Sequence, residues 1–299
     1  GLATGVVASA GTLGSLIPPS ILFVLYGIFA EVSIVKLLIA GILPGLLTAA
    51  VYTVMIVTRC SINPEIAPRL TKDEVAQLKP ERWRALVEVW PILLLVLAII
   101  GGLFAGVMTP TEAGAAGAFL AFVIAFIQGR LTWLVFRESV LESTSATARI
   151  FFVAIGAVIY SKFLTLSGMP NFMGEQLGAL ALNPLLLVIA ASVIYLILGM
   201  FLDPLGLLLL TLPVLLPMFE ALQLDLVWIG VLIVKYMEIG LLTPPVGFNV
   251  YVIKSVVGDE ISLETIFRGV TWFLACEAVV VALLIGFPQI SLYLPNAMQ

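Results

Sequence analysis

The sequence has 299 residues, 62% of them hydrophobic and only 11% charged, against roughly 25% charged in soluble domains, which excludes a soluble globular chain. Its apolar runs of about 20 residues are too numerous to be signal peptides or buried core helices, and they lack the alternation of a β-barrel. Histidine is absent, so the usual zinc ligand and neutral-pH proton relay are missing, and the net charge of −4 says less about partners than the placement of Lys and Arg does.

An all-α polytopic membrane protein is the fold class that remains, and its elements can be taken in chain order. Residues 1 to 30 are apolar but interrupted at Gly11-Thr12-Leu13-Gly14-Ser15-Leu16-Ile17-Pro18-Pro19-Ser20. Consecutive prolines remove two backbone donors and clash with the preceding turn, so a helix is broken here. A span from about Val35 to Thr58 follows, then a polar segment from Arg59 to Arg84 with a short helix expected after Thr71, where Thr71-Lys72-Asp73-Glu74 has a capping-box pattern. Another span covers Val87 to Val107. Thr109-Pro110-Thr111-Glu112 restarts a helix that should end near Gln128, since proline and an acid suit a helix start.

A polar loop from Gly129 to Glu138 leads to a span from about Val140 to Thr165 that carries Arg149 and Lys162. After a Gly- and Pro-punctuated stretch to Asn183, two apolar halves, Pro184 to Met200 and Pro204 to Phe219, flank Phe201-Leu202-Asp203. Both halves are short for crossing a ~30 Å hydrocarbon core, which favours a re-entrant hairpin. A stretch from Leu226 to Val257 contains a second break, Glu238-Ile239-Gly240-Leu241-Leu242-Thr243-Pro244-Pro245-Val246-Gly247-Phe248-Asn249, and a last span runs from about Thr265 to Phe287. The segments are therefore 1–58, 59–86, 87–165, 166–257 and 258–299. Cys60 and Cys276 lie too far apart in sequence to suggest a framework and read as buried or lipid-facing thiols.

Lysines and arginines cluster in 59–86, 129–138 and 254–268, which places those loops in the cytoplasm. With that orientation the two broken segments run in opposite directions. A shift of 226 positions lays Gly14 on Gly240, Leu16 on Leu242, Pro18 on Pro244 and Pro19 on Pro245. An inverted pair of interrupted helices is the pattern from which secondary transporters build midplane sites.

These two Pro-Pro motifs, together with Thr109-Pro110-Thr111-Glu112-Ala113, closely resemble the large membrane subunit of TRAP transporters, the tripartite ATP-independent periplasmic family, along essentially the whole chain. The resemblance implies a multi-pass protein of the bacterial inner membrane that takes up an organic acid with sodium. A periplasmic solute-binding protein would deliver the acid, a small membrane subunit would support the chain, and the mechanism would be an elevator. It also implies helices and a first hairpin ahead of the first Pro-Pro motif, so the chain, which starts at Gly1, is expected to be truncated at its N-terminus. No other cofactor is expected beside sodium as the coupling ion, and the partners are those two subunits, the acid and the bilayer, without nucleic acid.

Sodium prefers several oxygen ligands, and broken helices offer uncapped carbonyls and small hydroxyls. The candidates are Gly11, Thr12, Gly14, Ser15 and Pro18 in the first break and Gly240, Thr243 and Pro244 in the second, with Gly14, Ser15, Gly240 and Thr243 foremost for the ion. The bland alternative is a proline kink packed on neighbouring helices. Asp203 either completes a cation site or caps the helix that starts at Pro204, and Asn249 either binds substrate or holds the broken backbone. Glu238 and Glu112 read as anchors or caps. Arg149 reads as a snorkelling side chain, and Lys162 and Lys235 either snorkel or pair with acids on neighbouring helices. The open helix starts at Ser20 and after Val246 favour a carboxylate-bearing solute. The competing readings are a proton-coupled or binding-protein-independent anion transporter and, from another class, a membrane enzyme or a non-transporting assembly subunit; against the enzyme stands the lack of any HExxH or of a nucleophile with a partner histidine.

Overall fold

The computed structural model describes residues 1–67, 88–169, 172 and 183–297, and all regular structure among them is helical. The expected helix after Thr71 and most of the connection before Asn183 lie outside the described residues. Among the described residues, six helical stretches are long and apolar enough to cross a membrane. The chain is thus an all-α polytopic membrane protein. It divides into one unit of Gly1–Tyr52 with Ser145–Gln299 and another of Thr53–Thr144.

In the larger unit, α1 (Leu2–Leu16) stops where the sequence expects it to. Ile17, which precedes Pro18, takes an extended conformation (φ −79°, ψ 126°) because the proline ring disfavours the helical region for its predecessor. The chain restarts as α2 (Ile21–Phe29), with the Ser20 hydroxyl accepting from the Phe23 amide at 3.4 Å. The next span was expected to be one helix but is two, α3 (Ile34–Ala40) and α4 (Ile42–Ile62). The interruption falls at Gly41, where an added Cβ would lie 2.5 Å from the Leu16 carbonyl oxygen, so the end of α1 presses against the backbone here.

The smaller unit pairs α5 (Trp90–Phe104) with α6 (Pro110–Ile127). The helix start expected at Thr109 is made by a capping box: the Thr109 amide donates to Glu112 Oε2 at 2.8 Å while the Glu112 amide donates to Thr109 Oγ1 at 3.4 Å. The following helix α7 (Trp133–Leu166) begins earlier than the sequence reading, which assigned 129–138 to a loop. Thr132 caps it by accepting from the Val135 amide at 3.2 Å, and neither glycine nor proline interrupts the apolar Trp133 to Phe136, so Arg137 and Glu138 ride on helix.

Helices α8 (Pro184–Gly199) and α9 (Pro204–Ala221) form the expected hairpin, each started by an Asx cap followed by proline. At 18 residues α9 is long enough to count among the possible spans, two residues more than its sequence estimate. The hub is α10 (Leu226–Leu242), buried throughout Trp228 to Gly240. It packs on α1, α2, α3, α8 and α9, and on the three helices that follow it: α11 (Phe248–Val257), α12 (Leu263–Gly286) and α13 (Gln289–Ala297). The last of these lies beyond the final expected span, which was to end at about Phe287; it is a helix seated on α3 and α10 with Ser291 buried.

Candidate functional site

The second break repeats the geometry of the first. Thr243, the counterpart of Ile17 under the 226-residue shift, closes α10 in nearly the same extended conformation (φ −84°, ψ 132°). The cause is the same, since each precedes a proline pair. The Pro18–Pro19 and Pro244–Pro245 peptide bonds are both cis. The chain then restarts as α11 after Gly247, which occupies the left-handed region at φ 59°.

Side chains and amides in the breaks satisfy part of the freed backbone. The Ser20 hydroxyl donates to the Ser15 carbonyl, the Thr243 amide to the Gly240 carbonyl at 3.1 Å, and the Thr243 hydroxyl to the Ile239 carbonyl at 2.6 Å. Each of these oxygens keeps a lone pair, so the bonding does not use up its capacity to accept a cation. Thr12 is buried and donates to the Ser9 carbonyl at 2.7 Å, whereas Gly14 borders open space, with nothing within 4 Å of where its Cβ would be.

The two broken helices meet. Asn249 Nδ2, in the first turn after the second break, donates to the Ala8 carbonyl of α1 at 3.2 Å and lies 3.7 Å from the Cβ position of Gly11. Asn249 therefore ties one broken segment to the other. Gly240 lies against the backbone of Gly199 at the end of α8, which joins the second break to the hairpin. Asp203 is not part of this meeting. It is exposed, accepts from the Gly206 amide at 2.9 Å as the cap of α9, and lines a cleft of about 790 Å³ with Ser145, Arg149 and Leu209.

One cluster was only half visible in the sequence. Lys235, 0% exposed, does not snorkel: its Nζ lies 3.0 Å from Glu238 Oε2 on its own helix and 2.8 Å from Glu277 Oε2 on α12, and it donates to Thr48 Oγ1 of α4 at 3.1 Å. Tyr52 of α4 donates to Glu277 Oε1. Glu238 is thus an anchor, as expected, while Glu277 and Tyr52 were missed. The available signal was an acid at 277 inside an otherwise apolar span, where a charge is costly unless paired. The 226-residue shift lays Ser9 on Lys235 and Thr12 on Glu238, so the first break carries a neutral pair where the second carries ions. Among the described residues no group of three or more His, Cys, Asp or Glu is arranged to hold a metal.

Residues 1–290 match the family model described as "Tripartite ATP-independent periplasmic transporter, DctM component". The chain is 35% identical over 295 residues to the C4-dicarboxylate TRAP transporter large permease protein DctM of Pseudomonas aeruginosa, covering 98% of this chain and 67% of the relative. It is 34% identical over 296 residues to the sialic acid TRAP transporter large permease protein SiaM of Vibrio cholerae, with the same 98% and 67% coverage. A 2,3-diketo-L-gulonate TRAP transporter large permease protein, YiaN of Escherichia coli, is 33% identical over 270 residues, 90% of this chain and 61% of the relative.

Proposed function

Because the chain belongs to the DctM family of tripartite ATP-independent periplasmic transporters, being a membrane permease and not an enzyme, we propose that it imports an organic acid driven by sodium. In this reading it sits in the bacterial inner membrane beside a small membrane subunit and receives the acid from a periplasmic binding protein. The relatives named for C4-dicarboxylates, sialic acid and 2,3-diketo-L-gulonate all handle acids, so the substrate class carried over is a carboxylate-bearing solute.

The observation that carries the proposal is the meeting of the two broken helices, with Asn249, in the first turn after the second break, bonded to Ala8 of α1, the helix that ends in the first break. Sodium binds the carbonyls and hydroxyls around Gly14, Ser15, Gly240 and Thr243, and the substrate carboxylate docks on the uncapped amides that open α11 after Gly247. Ion binding orders both breaks, so acid affinity and sodium affinity rise together. The hairpin and the broken helices then move as one body in an elevator step, and the backbone contact of Gly199 with Gly240 couples them.

Reconstituted proteoliposomes with the small subunit and binding protein present test this directly. Uptake of a labelled acid should follow an imposed sodium gradient and vanish when potassium replaces sodium. Uptake that ignores the sodium gradient and tracks pH would overturn sodium coupling in favour of proton coupling.

A further inference from the structure

We propose that the cleft between α7 and α9 is a binding site for one phospholipid with a zwitterionic, ethanolamine-type headgroup. Helix α7 has 34 residues, so at 1.5 Å per residue it measures roughly 51 Å against a hydrocarbon core of ~30 Å. Part of it stands outside the core. From Arg137 to Arg149 the helix carries four charged and five hydroxyl side chains, whereas Ile150 to Ile159 carries neither kind. Arg149 is therefore the residue at which α7 enters the apolar layer, the depth at which lipid phosphates lie. By the distribution of Lys and Arg this is the cytoplasmic side, where basic pockets between membrane helices recognise lipid headgroups.

The mouth of the cleft holds one charge of each sign. Arg149 and Ser145 of α7 face Asp203 at the start of α9 across a volume of about 790 Å³. Among the described residues Arg149 bonds to Ser145 Oγ at 3.2 Å and Asp203 to the Gly206 amide at 2.9 Å, so neither charge neutralises the other. A guanidinium grips phosphate bidentately, and the second oxygen of the carboxylate can accept from an ammonium. An anionic headgroup would suit Arg149 but be repelled by Asp203; a headgroup with one phosphate and one ammonium suits both. Below the mouth the walls are apolar, with Phe152 and Val153 of α7 against Leu205 and Leu209 of α9. A second cleft of about 290 Å³ adjoins the first at Val153 and Leu209 and reaches Tyr160, with Leu202 and Leu210 opposite. Nothing lies within 4 Å of where a Gly156 Cβ would be, so this path is open. From Arg149 to Tyr160 the helix rises roughly 16 Å, half of the ~30 Å core and hence the depth of one leaflet. A soluble acid would use the mouth alone, whereas an acyl chain uses the whole length. The site draws on neither helix break, so it stands whichever ion drives uptake.

The test is native mass spectrometry of the permease with its small subunit, stripped of lipid in detergent and titrated with phosphatidylethanolamine, phosphatidylcholine and phosphatidylglycerol of identical acyl chains. Wild type should bind one ethanolamine lipid about tenfold more tightly than either of the others, the order expected for one charge-assisted hydrogen bond, because choline has no N–H to donate and glycerol no positive charge for Asp203. Arg149→Gln should lose tight binding of all three. Asp203→Asn, which keeps an oxygen for the Gly206 amide, should lose only the preference for ethanolamine. Gly156→Leu puts a side chain into the tail path, on a helix where leucine is favoured over glycine, and should weaken all three lipids while leaving the mouth intact. The wild-type comparison of headgroups needs no variant, so a folding failure leaves the proposal testable. A wild type that binds none of the three lipids or does not discriminate among them overturns it, as does tight binding that survives Arg149→Gln. A C4-dicarboxylate that displaces the lipid from wild type and still binds Gly156→Leu would make the cleft a solute site, and loss of the small subunit from Arg149→Gln would make it a protein contact; either result overturns the lipid site. Because binding is read without transport, failure of sodium-driven uptake is a separate result.

Discussion

Gly240 crosses Gly199 backbone to backbone: a Cβ on Gly240 would lie 2.7 Å from the Gly199 carbonyl oxygen and 2.8 Å from its Cα. Small residues let membrane helices approach this closely, and the packing they permit replaces the hydrophobic drive that lipid removes. The crossing holds the hairpin helix α8 against the last turn of α10, immediately before the second Pro-Pro pair.

Gly240→Ala should therefore separate α8 from α10, at a cost of about 1–3 kcal/mol from overpacking, and abolish uptake. Its counterpart under the repeat is the control. Gly14→Ala adds a methyl to open space, so no steric penalty is expected there. Thermal unfolding in detergent should place the Gly240 variant well below wild type and the Gly14 variant at or above it, since alanine is favoured over glycine in a helix by up to about 1 kcal/mol. An equal loss in both would contradict the asymmetry of the two breaks.

The ion cluster gives a second prediction. Lys235→Met leaves Glu238 and Glu277 buried without a cation and should destabilise the protein by about 3–5 kcal/mol, the range for breaking a buried pair by removing one partner. The double variant Lys235→Met with Glu277→Gln removes one of the stranded acids and should recover a large part of that loss. Tyr52→Phe should cost about 1 kcal/mol, as it deletes one hydrogen bond to Glu277. Denaturant unfolding of the three variants checks the order.

How much of this was legible in the sequence depends on range. The breaks were, because Pro18-Pro19 and Pro244-Pro245 act on their own neighbours, and the extended Ile17 and Thr243 follow from local sterics. The helix start at Thr109 to Glu112 was legible for the same reason, and the cap of α9 was one of the two roles open to Asp203. Distant partners were not. Nothing near Gly41 announces that Leu16 will press against it, so the split between α3 and α4 was missed. Nothing near Lys235 says that the acid 42 residues away will reach it. Asn249 was singled out with two open roles, and the bond to Ala8, 241 positions away, could come only from the fold.

Asp203 can be assigned by comparing two substitutions. As the cap of α9 it accepts from the Gly206 amide, and Asp203→Asn retains an oxygen for that bond while Asp203→Ala does not. Asparagine should leave stability unchanged and alanine should cost about 0.5–2 kcal/mol. If capping is the whole role, the sodium dependence of uptake will be the same in wild type and in Asp203→Asn. A raised sodium requirement in the asparagine variant would show instead that the charge serves the ion.

Asn249 is the residue whose loss should separate transport from folding most cleanly. Its amide makes one partly buried bond between α11 and α1, so Asn249→Ala should cost only about 0.5–1.5 kcal/mol, a few degrees of melting temperature. The functional cost should be much larger. That bond joins α1 and α11, the helices that flank the two breaks whose carbonyls are proposed to share sodium, and without it each can order independently of the other. Uptake should fall by an order of magnitude or more, and its dependence on sodium concentration should become shallower as coupling between the breaks is lost. Asn249→Asp cannot donate to the Ala8 carbonyl and should behave like alanine, whereas Asn249→Gln, which keeps the amide donor on a longer arm, should recover part of the activity. Full activity in Asn249→Ala with wild-type sodium dependence would mean that the link between the breaks is packing alone.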